Sequence, residues 1–404
     1  MTSSNEILKN LGELSIDEFL KHHWQRKYLF VSECFKDSLP EFPADELAGL
    51  SLEEDVESRL IIESKQDSNP ENQWTLKHGP FLESDFTTLP ESHWTLLVQA
   101  VDFWAPEYTE FLSRFRFLPN WRIDDIMISY ATDQGGVGPH FDYYDVFLIQ
   151  LEGERLWRIG QQCDDSTEKV EGSPLNQIRH FKTEAEFLAK PGDLLYIPAG
   201  KAHWGIAQGE CTTISVGFRA PSYSEILSHF SGELCNTLPS NYRYSDSRKN
   251  TEQLNNCGEI SVATIENIQQ QLVSIISNPE ALASWFGRYM TESKYEDLCP
   301  WSQSTPSCEL NANTVKRLVK EKAFEFCPGI RTAYFPKSQE TALLFIDGRE
   351  FLCHIELAKA LSSNLQFSSG SLQKIAEMGD TQQQINTYAL LELLIEKELL
   401  LVQS

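Results

Sequence analysis

A histidine and an aspartate two residues apart, His140 and Asp142, sit in the run GPHFDYYDVFLIQLEGERLW (Gly138 to Trp157), which otherwise reads as a short buried strand. On a strand that spacing points both side chains to one face, where a buried imidazole and carboxylate are costly unless paired or bound to a metal. A third ligand has to come from another strand. His180 in IRHFKTE and His203 in IPAGKAHWG are the candidates. His203 is preferred, because KPGDLLYIPAGKAHWG reads as a turn, a hydrophobic strand and a second turn that deliver the histidine to the mouth of the same barrel. Two imidazoles and one carboxylate form the triad that leaves three sites open on octahedral iron(II), two for a chelating co-substrate and one for dioxygen. An isolated H-x-D is more often a turn or a hydrogen-bonded pair. The second histidine, sixty-one residues after Asp142 in a G-D…P-x-x-x-x-H setting, tips the balance to metal, with metal-free structural barrels and metal-dependent isomerases still open.

Arg155 follows the turn LEGE between large apolar neighbours. If the strand carries on from Gly153 with Arg155, Trp157 and Ile159 on one side, the guanidinium faces inward and needs a carboxylate, ideally a bidentate one. That carboxylate is either internal, from Glu152, Glu154 or Asp193, or the distal end of 2-oxoglutarate, whose keto-acid end chelates the iron. Asp145 has the opposite strand parity to Asp142 and reads as a turn or outer-layer acid.

The elements around these residues come in three textures. The first 120 residues start with a helix capped by Ser15 and Glu18, then a strand in KYLFVSE, two short helices in FPADELAGLSLEEDVESRLIIES, the polar loop KQDSNPENQ, an edge strand in WTLKHGPF, and a helix in two pieces across residues 90–118, broken near Pro106. From Trp121 to Arg219 short strands alternate with Gly, Pro and Asp: DDIMISYAT, VFLIQLEG, RLWRIG, QIRHFKTEAEFLAKPGD, LLYIPAGKAHWGIAQGE and TTISVGFRA. That spacing predicts an antiparallel barrel or jelly roll with a cavity. Helical patterns return over 222–298, STPSCELNANT reads as a linker, and the tail combines a hairpin, a short helix and a final helix INTYALLELLIEKELLLV, a winged-helix-like set. The expected division is 1–221, 222–305 and 306–404.

Composition narrows the partners. The net charge of -25 over 404 residues repels nucleic acid and favours a basic protein or peptide. Nine cysteines without a C-x-x-C pair fit a reducing compartment. No apolar segment is long enough to span a membrane, so a cytoplasmic protein is expected.

In order along the chain, WTLLVQAVDFW, LPNWRIDDIMISYATDQGGVGPHFDYYDVFLIQLEGERLWRIG, PGDLLYIPAGKAHWG and ISVGFRAPSYSEIL resemble the blocks of the JmjC-type ribosomal oxygenases, bacterial enzymes that hydroxylate an arginine of a large-subunit ribosomal protein. The resemblance spans residues 10 to 230 and extends to the remainder in architecture. It implies a double-stranded β-helix, mainly β with helical additions, then a helical dimerisation segment and a winged-helix-like domain. It implies His140, Asp142 and His203 as ligands of Fe(II), Arg155 as the 2-oxoglutarate clamp, dioxygen as co-substrate, and a homodimer. It implies that Asp133, in the glycine-rich loop TDQGGVG, holds the substrate guanidinium, aided by Ser224 in APSYSE. A basic ribosomal protein is then the expected substrate, met before ribosome assembly and without tight nucleic-acid binding. A histidyl hydroxylase or lysyl demethylase on the same scaffold, and a non-enzymatic binding protein, are the alternatives.

Overall fold

The protein is described by a computed structural model over residues 7–36, 38–64, 74–245, 258–295 and 310–403. The loop KQDSNPENQ and most of the STPSCELNANT linker lie outside the described residues. A small hairpin, β1 (Asn10–Leu11) and β2 (Leu14–Ser15), leads into α1 (Ile16–His22), where Ser15 and Glu18 form the expected capping box. There follow β3 (Leu29–Val31), α2 (Ala44–Leu50), β4 (Ser58–Glu63), β5 (Trp74–His78), α3 (Glu83–Thr87), β6 (Trp94–Val98), α4 (Val101–Trp104), α5 (Pro106–Ser113), β7 (Ile123–Ala131), β8 (Val146–Gln162), β9 (Ala185–Ala189), β10 (Leu194–Ile197) and β11 (Lys201–Phe218).

Nine of these strands make one antiparallel sheet in the order β3-β10-β8-β11-β7-β6-β4-β5, with β9 also on β8 and β5 at the edge. The two long strands β8 and β11 pair along most of their length. β8 takes β10 as its other neighbour at Val146–Ile149 and β9 at Arg155–Ile159, so one ribbon serves two walls and curls the sheet into a barrel.

Gly153 is where β8 changes walls. The expected LEGE turn is instead a bend within a continuous strand. Gly153 has φ +63°, and the opposing strand shifts register between Gln208 and Thr212. A side chain at Gly153 would run into the backbone of Glu210, so only glycine fits this bulge. Before it, Val146 and Leu148 face one cluster; after it, Trp157 and Ile159 face the same cluster. The alternation has therefore moved by one residue, which brings Arg155 to the cavity side. Phe147, Ile149 and Leu151 face the larger core with Phe19, Phe115, Ile126, Ile128 and Tyr196.

Two further expectations change. Residues 94–98, expected to be helical, form β6 between β4 and β7, because the run Thr-Leu-Leu-Val after the half-buried Trp94 is buried and suits a central strand. The HxD pair lies off the strands: His140 forms an isolated bridge with His203 ahead of β8.

The rest of the chain comprises α6 (Tyr223–Thr237), α7 (Val262–Ile276), α8 (Pro279–Thr291), α9 (Ala312–Glu321), β12 (Phe324–Phe326), β13 (Thr332–Pro336), β14 (Thr341–Ile346), β15 (Arg349–His354), α10 (Ile355–Ser363), β16 (Gln366–Phe367), α11 (Ser371–Ala376), α12 (Thr381–Glu396) and β17 (Leu400–Val402). The final helix stops at Glu396, earlier than expected; Glu398 takes φ +57° and β17 pairs with β12. Helices α9 to α12 and the sheet β13-β14-β15 share one core. α8 lies on that sheet so closely that a Cβ at Gly287 would overlap the buried ring of Phe345.

Candidate active site

The backbone bridge between His140 and His203 brings the HxD pair to β11: His140 N donates to His203 O at 3.0 Å and His203 N to His140 O at 2.8 Å. Gly200 N donates to Asp142 O at 2.7 Å. Asp142 Oδ2 then lies 3.8 Å from His140 Nε2 and 3.6 Å from His203 Nε2, and one ligand atom from each residue falls within 4.8 Å of the others. Both Nδ1 atoms sit 3.0 Å from main-chain carbonyls, Gly138 O for His140 and Lys201 O for His203. A carbonyl only accepts, so Nδ1 carries the proton in each ring and the Nε2 lone pair is left for a metal. Burial, and then the neighbouring His140, push His203 down to about 4, which keeps that ring neutral in the physiological range. Two neutral imidazoles and one carboxylate on a shared face fit a divalent iron ion with open positions. His180 is elsewhere, exposed beside Glu168.

The triad lines one end of a cavity of about 530 Å³ that also holds Arg155. Arg155 is 5% exposed. Its Nε contacts Cys211 Sγ at 3.4 Å, its Nη1 donates to Ser129 Oγ at 3.3 Å, and its buried Nη2 has no partner. Of the internal acids, Glu154 pairs with Lys190, and Asp193 accepts from the backbone of Glu33 and Lys190. A buried guanidinium with an unmet donor and no carboxylate among the described residues fits the far end of a dicarboxylate chelating the metal.

Asp145 lies in the turn before β8, fully buried. It accepts from Tyr196 Oη at 2.6 Å, Arg122 Nη2 at 3.2 Å and Gln25 Nε2 at 3.3 Å, and so ties the segments after α1 and before β7 to β10 rather than joining the triad. Asp133 is exposed and outside the cavity lining. Its Oδ1 accepts from Gly209 N at 2.8 Å, which holds its carboxyl below the usual range; it braces the β11 bend. Ser224 is likewise exposed on α6, with its neighbour Glu225 reaching the cavity instead.

The β7 wall of the cavity was not assigned from sequence. Asp125, Met127 and Ser129 of β7 line it, while Ile126 and Ile128 fill the core. The period-two polarity of IDDIMIS carried that signal. Asp125 is 2% exposed and accepts from Gln99 Nε2 at 2.8 Å and Lys294 Nζ at 2.6 Å. Burial, and then Asp124, push its carboxyl up, against the pull of Lys294. Tyr143 and Tyr144, about half exposed, stand at the rim.

Residues 110–226 match the family model of the JmjC domain, and residues 269–392 match that of the ROXA-like winged helix. The chain is 37% identical to the ribosomal protein uL16 3-hydroxylase of Escherichia coli (strain K12) over 289 residues, 71% of this chain and 74% of that one. It is 35% identical to a probable ribosomal oxygenase of Haemophilus influenzae over 280 residues, 66% of each chain. Among solved structures, E. coli YcfD superposes with a TM-score of 0.85 at 29% identity, covering 98% of this chain and 100% of that one. The same ribosomal oxygenase in complex with cobalt and 2-oxoglutarate gives a TM-score of 0.80 at 29% identity over 96% and 98%.

Proposed function

Because the chain belongs to the bacterial JmjC-type ribosomal oxygenases, we propose that it is an iron(II)- and 2-oxoglutarate-dependent oxygenase that hydroxylates an arginine side chain of a large-subunit ribosomal protein. The observation that carries this reading is the single cavity that joins the His140, Asp142 and His203 triad to a buried Arg155 with no carboxylate partner among the described residues. The cobalt and 2-oxoglutarate bound by the related E. coli enzyme support it.

Iron(II) with 2-oxoglutarate supplies the oxidation when bound: dioxygen is split, one atom leaving in succinate as carbon dioxide is lost and the other entering a substrate C–H bond. The protein's part is positioning. Arg155 and Ser129 hold the distal carboxylate of the co-substrate and set its reach to the triad. The carbonyls of Gly138 and Lys201 hold both imidazoles in the ligating tautomer. The substrate guanidinium needs a fixed carboxylate across the cavity, and Asp125 is the acceptor we assign in place of Asp133, since Asp125 lines the cavity and Asp133 does not.

The test incubates the protein, iron(II) and 2-oxoglutarate with ribosomal proteins and with arginine-containing peptides cut from them, and reads a mass gain of one oxygen on arginine. In the same assay Asp125→Asn raises the peptide KM at least about tenfold, whereas Asp133→Ala leaves it within about twofold. Oxygen placed on histidine, or methyl loss from lysine, overturns the arginine target and keeps the oxygenase. The absence of iron-dependent 2-oxoglutarate consumption overturns both.

The net charge of -25 favours a free basic ribosomal protein as substrate over one already sheathed in RNA; with such a substrate the proposed reaction is cytoplasmic. No helix of the described residues is long and apolar enough to cross a membrane. A second copy of the chain is the partner proposed for the helical segment 222–305: Ile265, Ile268, Leu272, Val273 and Ile276 of α7 stay exposed in one chain, more apolar surface than a single helix ordinarily leaves in water. Light scattering should then give twice the chain mass, and Leu272→Glu should halve it.

A further inference from the structure

Two cations that touch the cavity wall come from outside the barrel. Lys294, three residues past α8, donates to Asp125 Oδ2 at 2.6 Å and lies 3.9 Å from Asp124 Oδ2. Arg331, just ahead of β13, donates to Asp124 Oδ1 at 2.8 Å through Nη2 and to Glu292 O at 3.1 Å through Nη1. The end of α8 is itself part of the site: Tyr289 and Met290 line the cavity, and Arg219 at the barrel exit donates to Met290 O at 2.7 Å. The position of α8 is in turn fixed by its close packing on β14 through Gly287 and Phe345.

We propose that Lys294 and Arg331 are positioning residues for the substrate guanidinium, by which the helical segment and the winged-helix module hold the Asp124–Asp125 pair in place on the cavity wall. Each carboxylate oxygen of Asp125 already has one donor, Gln99 on one and Lys294 on the other. A carboxylate offers about four lone-pair positions, so the group is oriented with acceptor capacity left for a ligand. Without the ammonium, Asp125 would be a nearly buried acid beside Asp124 and above Asp102, which burial and then Asp125 push up to about 7. A wall so crowded with carboxylates loses either its charge or its geometry once its cations are removed.

The inference rests on Asp125 being the guanidinium acceptor, so both are measured in the full-length protein with the same arginine peptide. Lys294→Ala and Lys294→Gln should raise the peptide KM roughly tenfold while the KM for 2-oxoglutarate moves less than about twofold. Lys294→Arg, which keeps a cation, should bring the peptide KM back to within about threefold, and Arg331→Ala should move it in the same direction as Lys294→Ala. If Asp125→Asn leaves the peptide KM unchanged, the acceptor reading fails and takes the inference with it. If Asp125→Asn raises it and both Lys294 variants do not, the inference alone fails. A lower peptide KM in Lys294→Ala would mean that the ammonium competes with substrate, and a parallel rise in both KM values would mean general loss of structure; either result overturns the proposal.

Discussion

An Asp142→Ala variant should lose peptide hydroxylation and 2-oxoglutarate consumption together, with iron(II) affinity down by more than about 100-fold. Groups that merely orient metal ligands are worth roughly 10–100-fold in affinity, and Asp142 is the one anionic member of the triad. Its removal leaves two imidazoles facing a dication, with His203 buried. His203→Ala should behave alike. Binding measured by calorimetry with manganese(II) or cobalt(II), and the one-oxygen mass gain, report the two losses separately. A variant that keeps wild-type hydroxylation would sink the triad. A loss of activity with unchanged metal affinity would move the role of Asp142 from ligand to substrate contact.

The second large effect concerns Arg155. Arg155→Ala should raise the KM for 2-oxoglutarate by about two orders of magnitude, the equivalent of roughly 3 kcal/mol for truncating a buried charge-paired group. Arg155→Lys should recover little of it, since one ammonium cannot reproduce two parallel N–H donors. The effect on stability separates this from an internal salt bridge. A guanidinium paired with a protein carboxylate would leave that acid buried and alone when removed, at a cost of about 3–5 kcal/mol. Among the described residues Arg155 has Ser129 Oγ and Cys211 Sγ as hydrogen-bond partners, the Trp157 ring 5.7 Å away, one unmet donor and no carboxylate, so the alanine variant should melt at or above the wild-type temperature in the absence of 2-oxoglutarate. A strongly destabilised variant would restore the salt-bridge reading.

The metal donors were readable because their chemistry is local: H-x-D and a later histidine after a turn need only a strand pairing to meet. The physical route was nevertheless different from strand parity, since His140 meets His203 through an isolated backbone bridge. Parity did keep Asp145 out of the triad, and it is the turn residue expected, bonded to Tyr196 and Arg122. The helix expected at 94–98 failed because periodicity cannot separate a short buried strand from a buried helix; the neighbours β4 and β7 decided it. Asp125 was within reach of the alternating pattern in IDDIMIS, whereas its partner Lys294, 169 residues away, had no sequence signal at all. Asp133 was expected from the family resemblance, yet its loop's proximity to His140 in sequence does not carry its side chain into the cavity.

The imidazoles of His140 and His203 are oriented by the carbonyls of Gly138 and Lys201, not by side chains. Main-chain atoms are common to every residue type, so changes at codon 201 that preserve the backbone path leave the His203 orientation intact, whereas Gly138, at φ +75° with Gln177 against any added Cβ, lacks that freedom. Under genetic drift the His203 ring setting is thus sheltered, and loss of the oxidation chemistry by single substitution is concentrated in few codons: those of the three ligands, of Arg155 and of Gly138. Inactive descendants of this lineage should therefore carry their lesions at these positions.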